Sequence, residues 1–187
     1  ILSSTMFQAT NVNSIARKYM KPLSEQTGET IHFVQVVDGA AVYVEKVESP
    51  NNIRMYSLIG RRAPLHCTGV GKAILAYLPD ESLEEFLRGN ILTKYTENTI
   101  TDPEILREHL RLIRRNGYAL DNSEHEENVC CVAAPLFTSS GHVIGAVSIS
   151  AIRYRADIAV VESWAPLLKD QMEKMNAELV FFFDRYG

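Results

Sequence analysis

Pro64-Leu65-His66-Cys67-Thr68-Gly69-Val70-Gly71-Lys72-Ala73-Ile74-Leu75-Ala76-Tyr77-Leu78 is the stretch on which the reading of this chain turns. Its second half has the pattern of an amphipathic helix. Val70, Ala73, Ile74, Tyr77 and Leu78 fall at the i, i+3, i+4, i+7, i+8 spacing of one buried face. Thr68 stands ahead of it as an N-cap, and Pro79 stops it. Gly69 and Gly71 leave the first turn bare of side chains. The first amides of a helix have no carbonyl partner within it, and the helix dipole places partial positive charge there. Such a start suits a small anion, a carboxylate or a phosphate. The alternative is that the two glycines only let the helix pack tightly on a sheet. A nucleotide P-loop is excluded. It needs Gly five residues before the Gly-Lys pair and Ser or Thr after the Lys, where this chain has His66 and Ala73.

Outward from this helix the pattern is that of a sheet. Residues 31–37 and 41–47 are β-rich runs joined by Asp38-Gly39, a favoured type I′ turn. A third strand is expected over 53–59, with Ile53, Met55, Ser57 and Ile59 on one face. A short strand follows Gly117. Residues 129–137 and 143–152 flank Ser139-Ser140-Gly141 as a hairpin, pairing positions whose numbers sum to about 280. That register puts Cys131 opposite Ser148 to Ser150. The two serines share one strand face, either toward solvent or toward a partner for their hydroxyls.

Helices are expected around the sheet. One runs from Asn11 toward Thr27, with Val12, Ile15, Ala16, Tyr19, Met20 and Leu23 inward, a kink at Pro22 and Gly28 beyond its end. A short acidic helix spans about 81–88, and residues 94–99 form a surface loop. The next helix opens on a Thr101–Glu104 capping box with an Ile100–Ile105 staple, and its face carries Ile105, Leu106, His109, Leu110 and Ile113. A last long helix covers 157–184, bent at Pro166, with Ile158, Val161, Ala165, Leu168, Met172, Met175, Leu179 and Phe182 as a seam. Phe181-Phe182-Phe183 is more aromatic than a solvated tail. Residues 1–10 show no period and read as a linker remnant. The element order argues for an α+β domain over 11–187, a mainly antiparallel sheet flanked by helices.

Composition narrows the function. The 187 residues are 46% hydrophobic, enough for one sizeable core, and the formal charge of -4 has the wrong sign for a domain that grips nucleic acid through phosphates. No run approaches the ~20 apolar residues of a membrane span. Three cysteines, Cys67, Cys130 and Cys131, suggest no disulfide framework, and a reducing cytoplasmic setting follows.

Three separated motifs resemble those of the effector-binding domain of IclR-type bacterial transcription regulators. The first is residues 64–73. The second runs from Gly117-Tyr118-Ala119-Leu120-Asp121 through Glu124-His125-Glu126 to Cys131-Val132-Ala133-Ala134-Pro135, and the third is Gly145-Ala146-Val147-Ser148-Ile149-Ser150. Cys130 stands where an Arg is common, and Ala151 where a Gly is common. The resemblance implies a GAF/PAS-like fold and a sensing domain whose winged helix-turn-helix is absent from this chain, so that DNA is reached only through that missing part. It implies dimers that pair into tetramers and a small carboxylate effector, such as a keto or sugar acid from catabolism. It assigns Gly69 and Val70 to the effector's carboxylate, Asp121 to its hydroxyls, Cys131, Ser148 and Ser150 to the polar sheet face, and Met55 with Ile53 to an apolar wall.

Two other chemistries compete with this reading. Cys67 or Cys131 with His66 or His125 could form a thiol nucleophile and base, but the spacing carries no hydrolase signature. A metal site from His66, Cys67, His125, Cys130 and Cys131 fails because adjacent cysteines on a strand point to opposite faces, and no Cys-x-x-Cys pair exists. No cofactor, no metal and no enzymatic activity are expected.

Overall fold

In the computed structural model, which describes residues 2–51, 55 and 57–186, five strands form one sheet. They are β1 (Thr30–Val37), β2 (Ala40–Val47), β3 (Ala119–Asn122), β4 (Val129–Phe137) and β5 (Val143–Ile152). The order is β2-β1-β5-β4-β3, and every neighbouring pair is antiparallel. The α+β class read from the sequence is what the chain adopts. Asp38 and Gly39 both take positive φ, 49° and 73°, as the type I′ turn between β1 and β2 requires. The β4–β5 hairpin pairs Cys131 with Ser150 and Ala133 with Ser148, inside the expected register.

Helices cover both faces. Against one lie α1 (Leu2–Thr27), α5 (Ile158–Ser163) and α6 (Ala165–Tyr186). Their buried stripes, Val12, Ala16, Met20 and Leu23 on α1 and Leu168, Met172, Met175 and Leu179 on α6, meet Phe33, Val132, Val147 and Ile149 of the sheet. Each such side chain removed from water contributes about 1.5–3 kcal/mol before its ordering entropy is subtracted. Against the other face lie α2 (Gly69–Leu75), α3 (Asp80–Gly89) and α4 (Pro103–Asn116), around Val34, Ala41, Ala133 and Ala146. The sheet thus divides two cores, and the small side chains on the second face let α2 approach closely.

Several local expectations change. The first helix begins at Leu2 rather than Asn11, so the segment read as a linker remnant is helical as far as it is described. The final helix is two helices meeting at Trp164. Pro166 lacks an N–H and clashes with a preceding turn, so it is tolerated only in the first turn of a new helix. Asp102, not Thr101, caps α4: its Oδ1 accepts from the N–H groups of Glu104 at 2.8 Å and Ile105 at 3.1 Å. Ile105 consequently faces water at 58% exposure, and Leu106, Leu110 and Ile113 form the buried face. In the expected third strand, residues 55 and 57–59 have no strand conformation, and residues 53, 54 and 56 lie outside the described residues. Phe182 and Phe183 pack against the first core, while Phe181 is exposed. Among the described residues no helix is long and apolar enough to cross a membrane.

Candidate functional site

The site is built on the sheet face beneath α2. Cross-strand register sets Asp121, Cys131, Ser150 and Thr30 in one row, and Ala119, Ala133, Ser148 and His32 in the next. The rows are two residues apart, so all eight side chains share a face. The start of α2 rests on it. A Cβ on Gly69 would stand 3.3 Å from Ala133 Cβ, 3.4 Å from Cys131 Cβ and 3.7 Å from Asp121 Cβ.

Thr68 caps α2 as expected. Its Oγ1 accepts from Gly71 N–H at 3.0 Å, and its carbonyl accepts from Lys72 N–H at 2.9 Å. The N–H groups of Gly69 and Val70 therefore stand outside the helix's own bonding. Gly71 has a packing reason: a Cβ there would lie 2.5 Å from the Pro64 carbonyl oxygen and 2.6 Å from Leu65 Cα. Both contacts are backbone and cannot swing aside. Gly71→Ala is expected to destabilise the domain by about 3 kcal/mol, at the upper end for overpacking, as read by urea denaturation. A loss below about 1 kcal/mol would show that the 64–65 turn yields.

A cavity of about 50 Å³ opens between α2 and the sheet. Gly69, Val70, Asp121, Cys131, Ser148, Ser150 and Met55 line it, which brings together seven of the eight residues singled out from the sequence. The eighth, Ile53, lies outside the described residues. His32, Tyr43, Ser57, His125 and Glu126, to which the sequence reading gave no effector contact, also line the cavity. His32 had a visible signal, a lone imidazole within the apolar run of β1. The others depend on loops and on an edge strand, where no period points inward.

His32 ties the polar groups together. Its Nδ1 lies 3.1 Å from Ser150 Oγ and its Nε2 2.7 Å from Ser57 Oγ, while Ser148 Oγ lies 3.2 Å from Ser150 Oγ. The two serines thus face the cavity and not solvent. Burial, and then the charge of Lys46, lower the His32 pKa to about 3, so the ring is neutral. Lys46 Nζ donates to the Met55 carbonyl at 2.9 Å and so holds that wall of the cavity.

Asp121 is the acid of the site. It is 3% exposed, and its Oδ1 accepts from Glu124 N–H at 2.8 Å. Burial lifts its pKa to about 7, partly opposed by that hydrogen bond. Burial likewise pushes Cys67 up to about 12 and Cys131 well above the ordinary thiol range. Both remain thiols at neutral pH, the wrong state for a nucleophile. The His66 ring is spent on the Thr93 carbonyl, 2.9 Å from Nε2.

The amphipathic reading of α2 needs one correction. The whole helix is buried, and Lys72 is 0% exposed in an ion pair with Glu124. Glu124 Oε2 has no hydrogen-bond partner among the described residues. The segment expected as a surface loop supports this pair from behind. Thr99 and Thr96, both buried, donate to the Glu124 and Ser123 carbonyls at 2.6 and 2.7 Å. Among the described residues no three of His, Cys, Asp and Glu are grouped to hold a metal ion.

Residues 4–177 match the family model for the bacterial transcriptional regulator IclR C-terminal domain. The chain belongs to the IclR family. It is 38% identical over 160 residues to the HTH-type transcriptional regulator KdgR of Escherichia coli K12, an alignment covering 86% of this chain and 61% of KdgR. The chain therefore spans under two thirds of that relative's length. The crystal structure of Thermotoga maritima IclR superposes with a TM-score of 0.87 at 34% identity, over 96% of this chain and 73% of that one. The inducer-binding domain of the PobR transcription factor from Acinetobacter, a double mutant in complex with 3-hydroxybenzoic acid, superposes with a TM-score of 0.80 at 27% identity, over 88% of this chain and 97% of that one.

Within this IclR-family domain, the two departures from the family pattern fall away from the cavity. Cys130 and Ala151 are paired across β4 and β5 and pack into the core shared with α1 and α6. They are on the opposite sheet face from Cys131 and Ser150.

Proposed function

We propose that this domain is the sensor of an IclR-type transcription regulator, and that its effector is a small carboxylate bound in the cavity under α2. The observation that carries this is the convergence on one enclosed space of two helix-start amides, a buried acid and two serine hydroxyls. The amides of Gly69 and Val70 take the carboxylate by charge-assisted hydrogen bonds, and Asp121, Ser148 and Ser150 meet its remaining oxygens. The complex of the PobR domain with a hydroxy acid supports a carboxylate ligand for this fold. A volume of about 50 Å³ favours short keto or hydroxy acids over an extended sugar acid. Binding biases the domain between two arrangements, and a DNA-binding part of the regulator, working as a dimer or tetramer in the cytoplasm, reads that bias. In this reading the domain holds its effector without changing it, and burial keeps Cys67 and Cys131 as thiols, the wrong state for a nucleophile.

Calorimetric titration with glyoxylate, glycolate, pyruvate, lactate and 3-hydroxybenzoate tests the reading. Saturable binding with unchanged ligand is expected. The Ser148→Ala/Ser150→Ala variant is expected to weaken the tightest of these acids by at least about tenfold, the value of one lost hydrogen bond to a charged partner. Turnover of the acid, or a variant that binds as well as the parent, would count against it.

A further inference from the structure

We infer that the effector enters this cavity together with one proton, that Asp121 carries it, and that the site accordingly takes monocarboxylates and rejects dicarboxylates. This rests on the effector reading just proposed and names its ligand class more narrowly.

The argument is a charge count within one buried space. An anion on the Gly69 and Val70 amides lies beside Asp121, whose Cβ is 3.7 Å from where a Gly69 Cβ would be. Two carboxylates so close cannot both stay ionised without a cation between them. Among the described residues the buried cation whose charge reaches Asp121 is Lys72 of α2, and Glu124 already holds it. Glu124 itself has an oxygen, Oε2, buried with no hydrogen-bond partner.

Among the described residues, the other groups that act on Asp121 add no positive charge. They are Cys67 ahead of α2, Cys131 on β4, Tyr43 on β2 and Glu126 on the loop after β3. His32 on β1 is neutral, and burial draws His125 toward its neutral form. Burial has already brought Asp121 to about 7, so a neighbouring anion suffices to protonate it at neutral pH.

The proton comes from solvent and adds to Asp121; no bond of the effector changes. Oδ1 remains the acceptor for Glu124 N–H, which leaves Oδ2 to carry the proton and donate to an effector oxygen. Asp121 then acts as a donor, the reverse of the acceptor role that the family resemblance implies. Among the described residues, a second carboxylate on the effector would meet Glu126, and the cation beyond His32, Lys46, is already held by Glu48.

Titration of the 187-residue chain in HEPES and in Tris, which differ in ionisation enthalpy, measures the proton directly. Near pH 8, uptake of close to one proton per pyruvate is expected, falling well below half a proton near pH 6. Affinity should drop toward tenfold per pH unit above about pH 8. Malonate should bind at least about tenfold more weakly than pyruvate. Asp121→Asn, which keeps a donor, should bind pyruvate without proton uptake and without the pH dependence. Binding of pyruvate or lactate with no proton exchange, or malonate binding equal to pyruvate, overturns this inference and leaves the effector site standing. Binding of no acid from either set overturns both.

Discussion

Lys72→Met is expected to lower the stability of the domain by about 3–5 kcal/mol, because it strands a buried carboxylate. Lys72 and Glu124 are fully and nearly fully enclosed, and they pair directly with each other. Among the described residues, removing the ammonium leaves the Glu124 carboxylate with a long contact from Asn122 N–H at 3.4 Å. For a chain of this size the loss corresponds to a melting temperature lower by roughly 6–20 °C. Lys72→Met/Glu124→Gln should recover much of it, since it removes both charges together. Urea denaturation of the three proteins at neutral pH measures this. A single variant within about 1 kcal/mol of the parent would mean that water or a shifted side chain reaches Glu124.

The second large effect concerns Asp121 and pH. Burial raises its folded-state pKa from 3.8 to about 7. Between those values the folded chain keeps a proton that the unfolded chain releases, so stability falls as pH rises. The stabilising contribution is complete below about pH 4 and gone above about pH 7, and the difference is on the order of 4 kcal/mol. Asp121→Asn abolishes this titration. The variant should gain several kcal/mol relative to the parent near pH 8 and much less near pH 4.5, as read by urea midpoints at both. A parent whose stability rises through this window, with the variant unchanged beside it, would show that Asp121 is ionised and satisfied in the fold. An acid held at such expense suits a binding group, since sites often conserve strain that a stable core would discard.

How much of this was legible beforehand follows the range of each interaction. The α1 stripe, the Asp38-Gly39 turn and the β4–β5 register all depend on residues a few positions apart and are present as read, while the last seam is buried as read but shared by two helices. Where two local signals competed, the sequence did not choose. Thr101 and Asp102 can each cap a helix, and Asp102 prevails with Pro103, which has no N–H to satisfy, directly after it. The seam over 157–184 continued through Pro166, but the backbone could not, so it restarts at Ala165.

The sequence by itself determined the antiparallel α+β class and the helix start at Thr68, and its resemblance to the IclR family pointed to the seven positions that line the cavity under α2. Periodicity, capping chemistry and motif spacing are properties of neighbouring residues, and they survive without a fold. Only the tertiary structure decided that Lys72 is buried against Glu124, that His32 links Ser150 to Ser57, and that Asp121 is buried within reach of both charges of that pair. Those facts depend on which strands and loops face each other across the sheet. Burial and electrostatics act through space, and the distance between two charges is not written in the number of residues that separates them.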